Sequence, residues 1–452
     1  MYTTPSAHLT FHLLLAITLA FFILWWCVKL APTSPPLQAP KRARVLHLHT
    51  PDHCRACHYA VPAPLHLAHY RKPGVLPWRQ RKDPRGTKKK IDTRGYACCN
   101  SACDYYGNIE SDFHALVGKG AHGQVERIQD VLCQACSHSH SVRLGTPLYR
   151  LHTSSLEVSR VLAAGARGLM LADLHVIFGH SDFTLRAWRT WAADDARRLH
   201  TRFAHDLRLS HVQLDELRLT LRAEPTENWG WVALDAASNA SRIPAFVLGP
   251  RTRHYANVLI HGLCQTLALG WVPLFTSDGL DLYFYALTAH FGRWVSDPAT
   301  GEAIWHVAQD LVYGQLVKHG RRRKLVRVER RMRLSSLEQL QITLRKLGLT
   351  GTLQTAFVER LNLTLRQSIA GLARRTWATP LSRLELTEQF EWWRTCYHFC
   401  RPHTSLRVKL DTPRARQGRQ SPQHYLARTP ARVAGLTDHL WTVAEVLAYP
   451  CP

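Results

Sequence analysis

Acidic residues are scarce in this 452-residue chain: 33 Asp and Glu stand against 58 Lys and Arg, a formal charge of +25. Such a deficit predicts a polyanionic partner, nucleic acid first and an acidic membrane surface second. Clustering speaks against an evenly basic surface, because Arg71–Arg94 holds ten Lys/Arg against two acids and Lys318–Arg333 nine against one. Also missing is any Lys or Arg ahead of the apolar run Phe11–Leu30, so a cleaved signal peptide fits poorly. That run is about long enough to span a bilayer, with Trp25, Trp26 and Lys29 as interface anchors. If it spans, the basic residues after it leave the rest of the chain in the cytoplasm; a dispensable leader is the alternative. The Pro-rich stretch Ala31–Pro40 reads as an extended linker.

Twelve cysteines, several closely paired, suit metal binding in a reducing compartment better than a disulfide framework. Cys54-x2-Cys57, Cys98-Cys99-x3-Cys103 and Cys133-x2-Cys136 have the spacing of knuckles around tetrahedral zinc. The preferred quartet is Cys98, Cys103, Cys133 and Cys136. Cys54 and Cys57 could instead supply one knuckle, with His53 or His58 as further ligands, and Cys99 is read as a spare. Four thiolates leave no open position for catalysis, so such a zinc ion staples a small module.

From Ser154 to Phe203 the apolar spacing turns helical. Phe178-Gly179-His180-Ser181 makes a break, and Ser181 is a good N-cap for a helix over Asp182–Ala193 that carries Thr184, Arg186, Arg189 and two tryptophans. A short helix, a Gly-containing turn and a capped helix with Arg outline a helix-turn-helix, with those three residues as DNA contacts. Chance helical packing gives the same outline.

Strand patterns follow over His211–Leu219, Trp229–Leu234 and Ile243–Leu248, then a helix over Tyr255–Leu269 and a buried strand over Trp271–Ser277. This order predicts an α/β core of the ribonuclease-H-like kind. The last strand stops at Asp278, and Gly279 turns the chain into an aromatic-rich helix. Asp278 reads either as that helix's cap or as a metal ligand. Asp215 on the first strand is placed to face it. A helix over Thr355–Ala373 puts Phe357, Leu361, Leu365 and Leu372 on one face and Glu359, Asn362 and Arg366 on an adjoining one. Glu216, Asp235 and Asp281 are nearby acids, with Asp235 the main rival.

Asp215, Asp278 and Glu359, with Arg366 seven residues after the third acid, resemble the catalytic group of the DDE transposase and integrase superfamily. Near the end, Tyr397-His398-Phe399-Cys400-Arg401-Pro402-His403-Thr404-Ser405-Leu406 is similar to the Tyr-(Asn/His)-x-x-Arg-Pro-His-x-Ser-Leu signature of bacterial insertion-sequence transposases. A zinc ribbon and a helix-turn-helix in front match the order of one small insertion-sequence type. The resemblance covers about Cys54 to Leu406 and leaves out the amino-terminal apolar run. It implies Mg2+ (or Mn2+) on the three acids beside a structural Zn2+. It also implies double-stranded DNA as substrate, and a homo-oligomer of at least two copies to cut two transposon ends.

Lys318, Arg321, Arg322, Arg323, Lys324 and the strand-like Leu325–Met332 would supply phosphate contacts. Arg401 either positions the DNA strand or braces the fold, and bracing is favoured for His403. The expected divisions are 1–45 leader and linker, 46–150 zinc-ribbon-like region, 151–208 helix-turn-helix, 209–408 catalytic domain and 409–452 basic tail. A cytoplasmic, nucleoid-associated protein is expected, or an inner-membrane one with its catalytic part facing the cytoplasm. Two other functions fit the same residues: a ribonuclease-H-like nuclease that cuts without joining, and a DNA-binding regulator on a catalytically dead scaffold.

Overall fold

The computed structural model describes residues 74–81, 93, 95–224, 227–237, 242–322, 324–373, 376–416 and 419–449. Phe11–Leu30, Ala31–Pro40, Cys54, Cys57, Arg323 and most of Arg71–Arg94 lie outside these residues. Among the described residues, no helix is long and apolar enough to cross a membrane.

The first unit is a three-stranded antiparallel meander of β1 (Leu116–His122), β2 (Ile128–Cys133) and β3 (Ser139–Ser141). Its small core holds Tyr105, Phe113, Leu116 and Val131 together with three buried cysteines. Three helices follow: α1 (Ser155–Gly165), α2 (Leu171–Phe178) and α3 (Asp182–Phe203). Gly179 ends α2 in the left-handed region at φ 73°, a conformation that glycine adopts without the Cβ penalty. The Ser181 hydroxyl then accepts the Thr184 N–H and starts α3. This helix runs ten residues past the expected Ala193, because Leu185, Trp188, Ala192, Ala196 and Leu199 keep an inward stripe at three- and four-residue steps.

The central element is a six-stranded mixed sheet in the order β11-β10-β7-β4-β5-β6. Its strands are β4 (His211–Leu219), β5 (Asn228–Asp235), β6 (Ala245–Gly249), β7 (Leu274–Asp278), β10 (Tyr313–Arg321) and β11 (Lys324–Leu334). β4, β7 and β10 run parallel, and the remaining neighbours are antiparallel. A separate hairpin of β8 (Gly292–Ser296) and β9 (Ala303–Val307) sits between β7 and β10 in sequence. β4 lies inside the sheet, with β7 on one side and β5 on the other. β11 contains the strand-like Leu325–Met332, and with β10, which the sequence showed only as part of a basic flank, it extends the sheet beyond β7.

Helices cover both faces, as a sheet with parallel strands requires. On one side Val212, Leu214, Trp231, Ala233 and Phe275 pack on α4 (Arg253–Thr266) and α5 (Leu282–His290). On the other, Leu217, Leu219, Val232 and Leu234 pack on α7 (Ala356–Ser368) and α8 (Arg383–Thr395). The short α6 (Leu337–Lys346) closes a satellite core with Leu274, Leu316 and Leu353. Two details of the expected third-acid helix change. It ends at Ser368, with Leu372 in a separate 3-10 turn, and Phe357 is exposed while Val358 takes the inward place.

The expected tail is an integrated part of the fold. A hairpin of β12 (His403–Arg416) and β13 (Arg419–Arg428) leads to α9 (Val443–Ala448), whose Val446 and Leu447 are buried with α1, α3 and Trp392 in one core. Residues 155–203 therefore do not stand as a separate domain, since they share that core with the carboxyl-terminal segment. Leu447→Ala is expected to lower the free energy of unfolding by about 2–5 kcal/mol, the usual range for a buried leucine. A denaturant midpoint unchanged by the substitution would show that the segment is merely appended.

Candidate functional site

Strand register builds the acidic site. β4 and β7 pair in parallel with His211 opposite Leu274, Gln213 opposite Thr276 and Leu214 opposite Ser277. One further step sets Asp215 beside Asp278, and with a side-chain period of two both point to the face that α7 covers. Gln213, two residues earlier on that face, fixes the helix. Its Nε2 donates to the Gln354 carbonyl at 2.8 Å and its Oε1 accepts the Val358 N–H at 3.0 Å. α7 is thus anchored so that Asn362 Nδ2 donates to Asp215 Oδ2 at 2.7 Å.

Asp278 is not the cap of the following helix. Its Oδ1 accepts the Leu280 N–H at 3.0 Å in a local turn, while α5 starts at Leu282 with Asp281 in the cap position. Space is tight at Gly279: a Cβ would stand 3.2 Å from Val317 Cγ2 on β10, which would have to give by a few tenths of an ångström.

The compact acidic group is Asp215, Glu216 and Asp278, whose carboxylate oxygens lie within 4.8 Å of one another. Glu359 is not in that group. Its Oε1 takes hydrogen bonds from Lys318 Nζ and Thr355 Oγ1, and its side chain is 45% exposed. Even so, its charge acts on both Asp215 and Asp278. Glu216, passed over as a neighbour in sequence, points to the opposite face of β4 and reaches the group from there. Tyr283 donates to its Oε2 at 3.0 Å, and Arg251 binds Oε1. The rival Asp235 is excluded: it lies opposite Val212 and is engaged by Arg242 at 3.2 Å.

Burial, and then the neighbouring Asp278 and Glu216, push Asp215 up to about 7. Burial also raises Asp278 and Glu216, with Asp278 adding to the rise of Glu216. Three carboxylates that resist ionisation so close together form a hard-oxygen donor set that gains from a divalent cation. Arg251 and Lys318 supply part of that positive charge, both acting to lower Asp278. The donor set therefore fits Mg2+ or Mn2+.

The second site is the cysteine quartet. The Sγ atoms of Cys98, Cys103, Cys133 and Cys136 all lie within 4.8 Å of one another. Cys98 and Cys136 are 3.7 Å apart, and Cys103 and Cys133 3.8 Å. A Zn–S bond of about 2.3 Å makes each edge of a tetrahedron about 3.8 Å, which these two separations match, so the quartet can hold a metal ion. The hydrogen bond with Cys98 holds the Cys133 thiol down to about 5, and the same contact pushes Cys98 far up.

Other expected residues have different partners. Arg186 and Arg189 both donate to Glu385 Oε1 on α8, at 3.0 and 3.3 Å, and Arg189 also pairs with Glu388. They tie two helices together, Arg189 largely covered and Arg186 still half exposed, and Thr184 joins the Ser181 cap. Arg401 Nη1 donates to Ser368 Oγ at 2.8 Å and braces the end of α7, while His403 packs edge-on to Tyr397 in the helical turn after α8. Arg366 lies seven residues beyond Glu359, about 10 Å along the helix axis. Arg321, Arg322 and Lys324 are exposed at the tip of the β10–β11 hairpin.

Compared with known proteins, the chain matches no protein-family model and no curated protein.

A pH test follows from Asp215. Its value in the fold, about 7, lies above the ordinary 3.8, so its contribution to stability is complete below that ordinary value and is lost as pH rises towards 7. The metal-free protein should lose stability across this window by up to a few kcal/mol, at about 1.4 kcal/mol per unit of displacement. Asp215→Asn should flatten the slope and Mg2+ should restore stability at neutral pH, both measured by chemical denaturation. Asp195, also raised to about 7 by burial, adds a slope of the same sign that neither change removes. An Asp215→Asn slope equal to that of the parent refutes the assignment.

Proposed function

We propose that the chain is a DDE-type transposase of the insertion-sequence kind, which binds the ends of a DNA element, cuts them and joins them to a target. One observation carries the reading: Asp215, midway along β4, stands beside Asp278 at the end of β7, on the face that α7 covers. The strand order and directions of β6, β5, β4, β7 and β10 also agree with a ribonuclease-H-like core, with β11 added at its edge. In this reading Asp215 and Asp278 hold the metal, and Glu359, on the same side of the sheet, completes the set as Lys318 gives way. Glu216 acts as a supporting acid from the opposite face.

Bound Mg2+ or Mn2+ supplies Lewis acidity at the scissile phosphate. The residues of the chain do the rest. Asn362 orients Asp215, Gln213 holds α7 in register, and the turn at Leu280 fixes the Asp278 carboxylate. Tyr283 and Arg251 restrain Glu216. The bare hairpin tip with Arg321, Arg322 and Lys324 offers phosphate contacts, and Arg323 belongs to the same basic run. DNA contact is assigned mainly there and less to α3, whose Arg189 is covered and paired with Glu385 and Glu388. Residues 95–142 form a zinc-ribbon-like module stapled by the four cysteines, and α1–α3 have the order of a helix-turn-helix. Two ends cut together call for at least two copies.

The test is a strand-transfer assay on double-stranded DNA taken from both flanks of the coding region, where this reading expects inverted repeats. The parent protein is expected to give cut and joined products that require Mg2+. Asp278→Ala should lower both by at least about a thousandfold, on the order of 4 kcal/mol, and leave end binding intact. Cleavage without joined product would make the protein a nuclease. End binding without either product would make it a regulator on an inactive scaffold. A second measurement addresses the hairpin: replacing Arg321 and Arg322 with Ala should weaken DNA binding uniformly across sequences and reduce its salt dependence by up to about two phosphate contacts.

A further inference from the structure

We propose that Cys99, His138 and His140 form a second zinc site beside the four-cysteine centre. The Cys99 thiol and one ring nitrogen from each histidine lie within 4.8 Å of one another. Nothing in the first centre uses these three residues, since four thiolates already complete a tetrahedron there.

Local structure explains why they meet. His138 and His140 are two residues apart along β3 and its approach, so they project to the same side. Their rings stack with centroids 5.7 Å apart and planes 27° from parallel. β3 pairs with β2 through Leu132–Ser139 and Val131–His140, which fixes the histidines next to the Cys133 knuckle. On the other side, His140 Nε2 lies 3.0 Å from the carbonyl oxygen of Ala97, and Ala97 is two residues before Cys99. One hydrogen bond therefore ties the imidazole to the loop that carries the thiol.

That bond also sets the chemistry. A carbonyl accepts only, so Nε2 carries the proton and Nδ1 keeps a bare lone pair. Nδ1 is buried and has no hydrogen-bond partner. A buried acceptor left without a donor costs about 1–3 kcal/mol, and a metal ion removes that cost. Donation of the other ring N–H to a backbone carbonyl is the usual support of a histidine ligand.

One thiolate and two imidazoles suit zinc, whereas Mg2+ and Ca2+ require oxygen donors. Tetrahedral zinc needs S–N separations of about 3.5 Å and an N–N separation of about 3.3 Å, from bond lengths of about 2.3 and 2.0 Å. Side-chain rotations of about 1 Å reach them within the 4.8 Å grouping. His138 is exposed, so the fourth position opens to solvent and takes water. The first centre is closed and this one is open, an arrangement in which the second ion exchanges more readily.

The test is zinc content of the full chain, each variant compared with the parent so that zinc held elsewhere cancels. Cys99→Ser, His138→Ala and His140→Ala should each remove one equivalent. Cys103→Ser should remove a different equivalent. In the Co2+-substituted protein, His140→Ala should keep the thiolate charge-transfer bands of the four-cysteine centre while losing part of the d–d absorption. This keeps site loss distinct from unfolding. His138→Ala is decisive, because that exposed side chain contributes little packing. Zinc content equal to the parent in His138→Ala and Cys99→Ser overturns the proposal.

Discussion

Parallel pairing of β4 with β7, in the register that sets His211 beside Leu274, is the constraint from which the acidic site follows. Strands in a parallel pair stand about 4.8 Å apart and alternate faces with a period of two, so this register alone decides that Asp215 and Asp278 are neighbours on one face. A slip of one residue would send Asp215 to the α5 side and leave Asp278 alone. The apolar neighbours resist that slip. Val212 and Leu214 belong to the core under α4 and α5, while Leu217 and Leu219 belong to the core under α7 and α8. Gln213 carries the same register out to α7, using both ends of one amide to hold two backbone groups of the helix entry. Sheet register, helix position and the carboxylate pair are thus a single geometric fact.

The electrostatic consequences follow from burial. A chain short of acids brings three together where water is largely excluded, and desolvation is the first cause of the rise at each of them. The same surroundings hold two cations, Arg251 on Glu216 and Lys318 on Glu359. They differ in character. Arg251 is fixed by the buried Glu216 and by the face of Trp229, 4.8 Å away. Lys318 sits on a flexible stem at the point where β10 leaves the body of the sheet, so it can give way to a bound cation at smaller cost.

The helical unit and the carboxyl-terminal segment hold each other. Glu385 and Glu388 on α8 take Arg186 and Arg189 of α3, and the Trp392 indole donates to the Leu162 carbonyl at 2.9 Å. Phe203, Phe399, Trp441 and Tyr449 meet in one aromatic cluster drawn from four segments. Any motion of α1–α3 therefore loads α8 and, through their shared core, α7. Among the described residues, the β10–β11 hairpin carries a dense run of exposed cations, Arg321, Arg322, Lys324, Arg327, Arg330 and Arg331.

By itself the sequence determined the local patterns. β4, β5, β6 and β7 were legible from alternation and from apolar runs, and the Cys98, Cys103, Cys133 and Cys136 quartet from spacing, because these signals are local and periodic. The break at Gly179 and the cap at Ser181 were legible for the same reason. Tertiary structure alone decided which side chains meet across long separations. It brought Glu216 to the acidic group from the opposite face and gave Arg186 and Arg189 partners two hundred residues away. It also buried a segment that reads as a basic tail, and put Cys99, a spare by spacing, beside two histidines. A linear pattern records which face a residue occupies within its own element; the partner on that face is fixed only when register and packing bring another element against it.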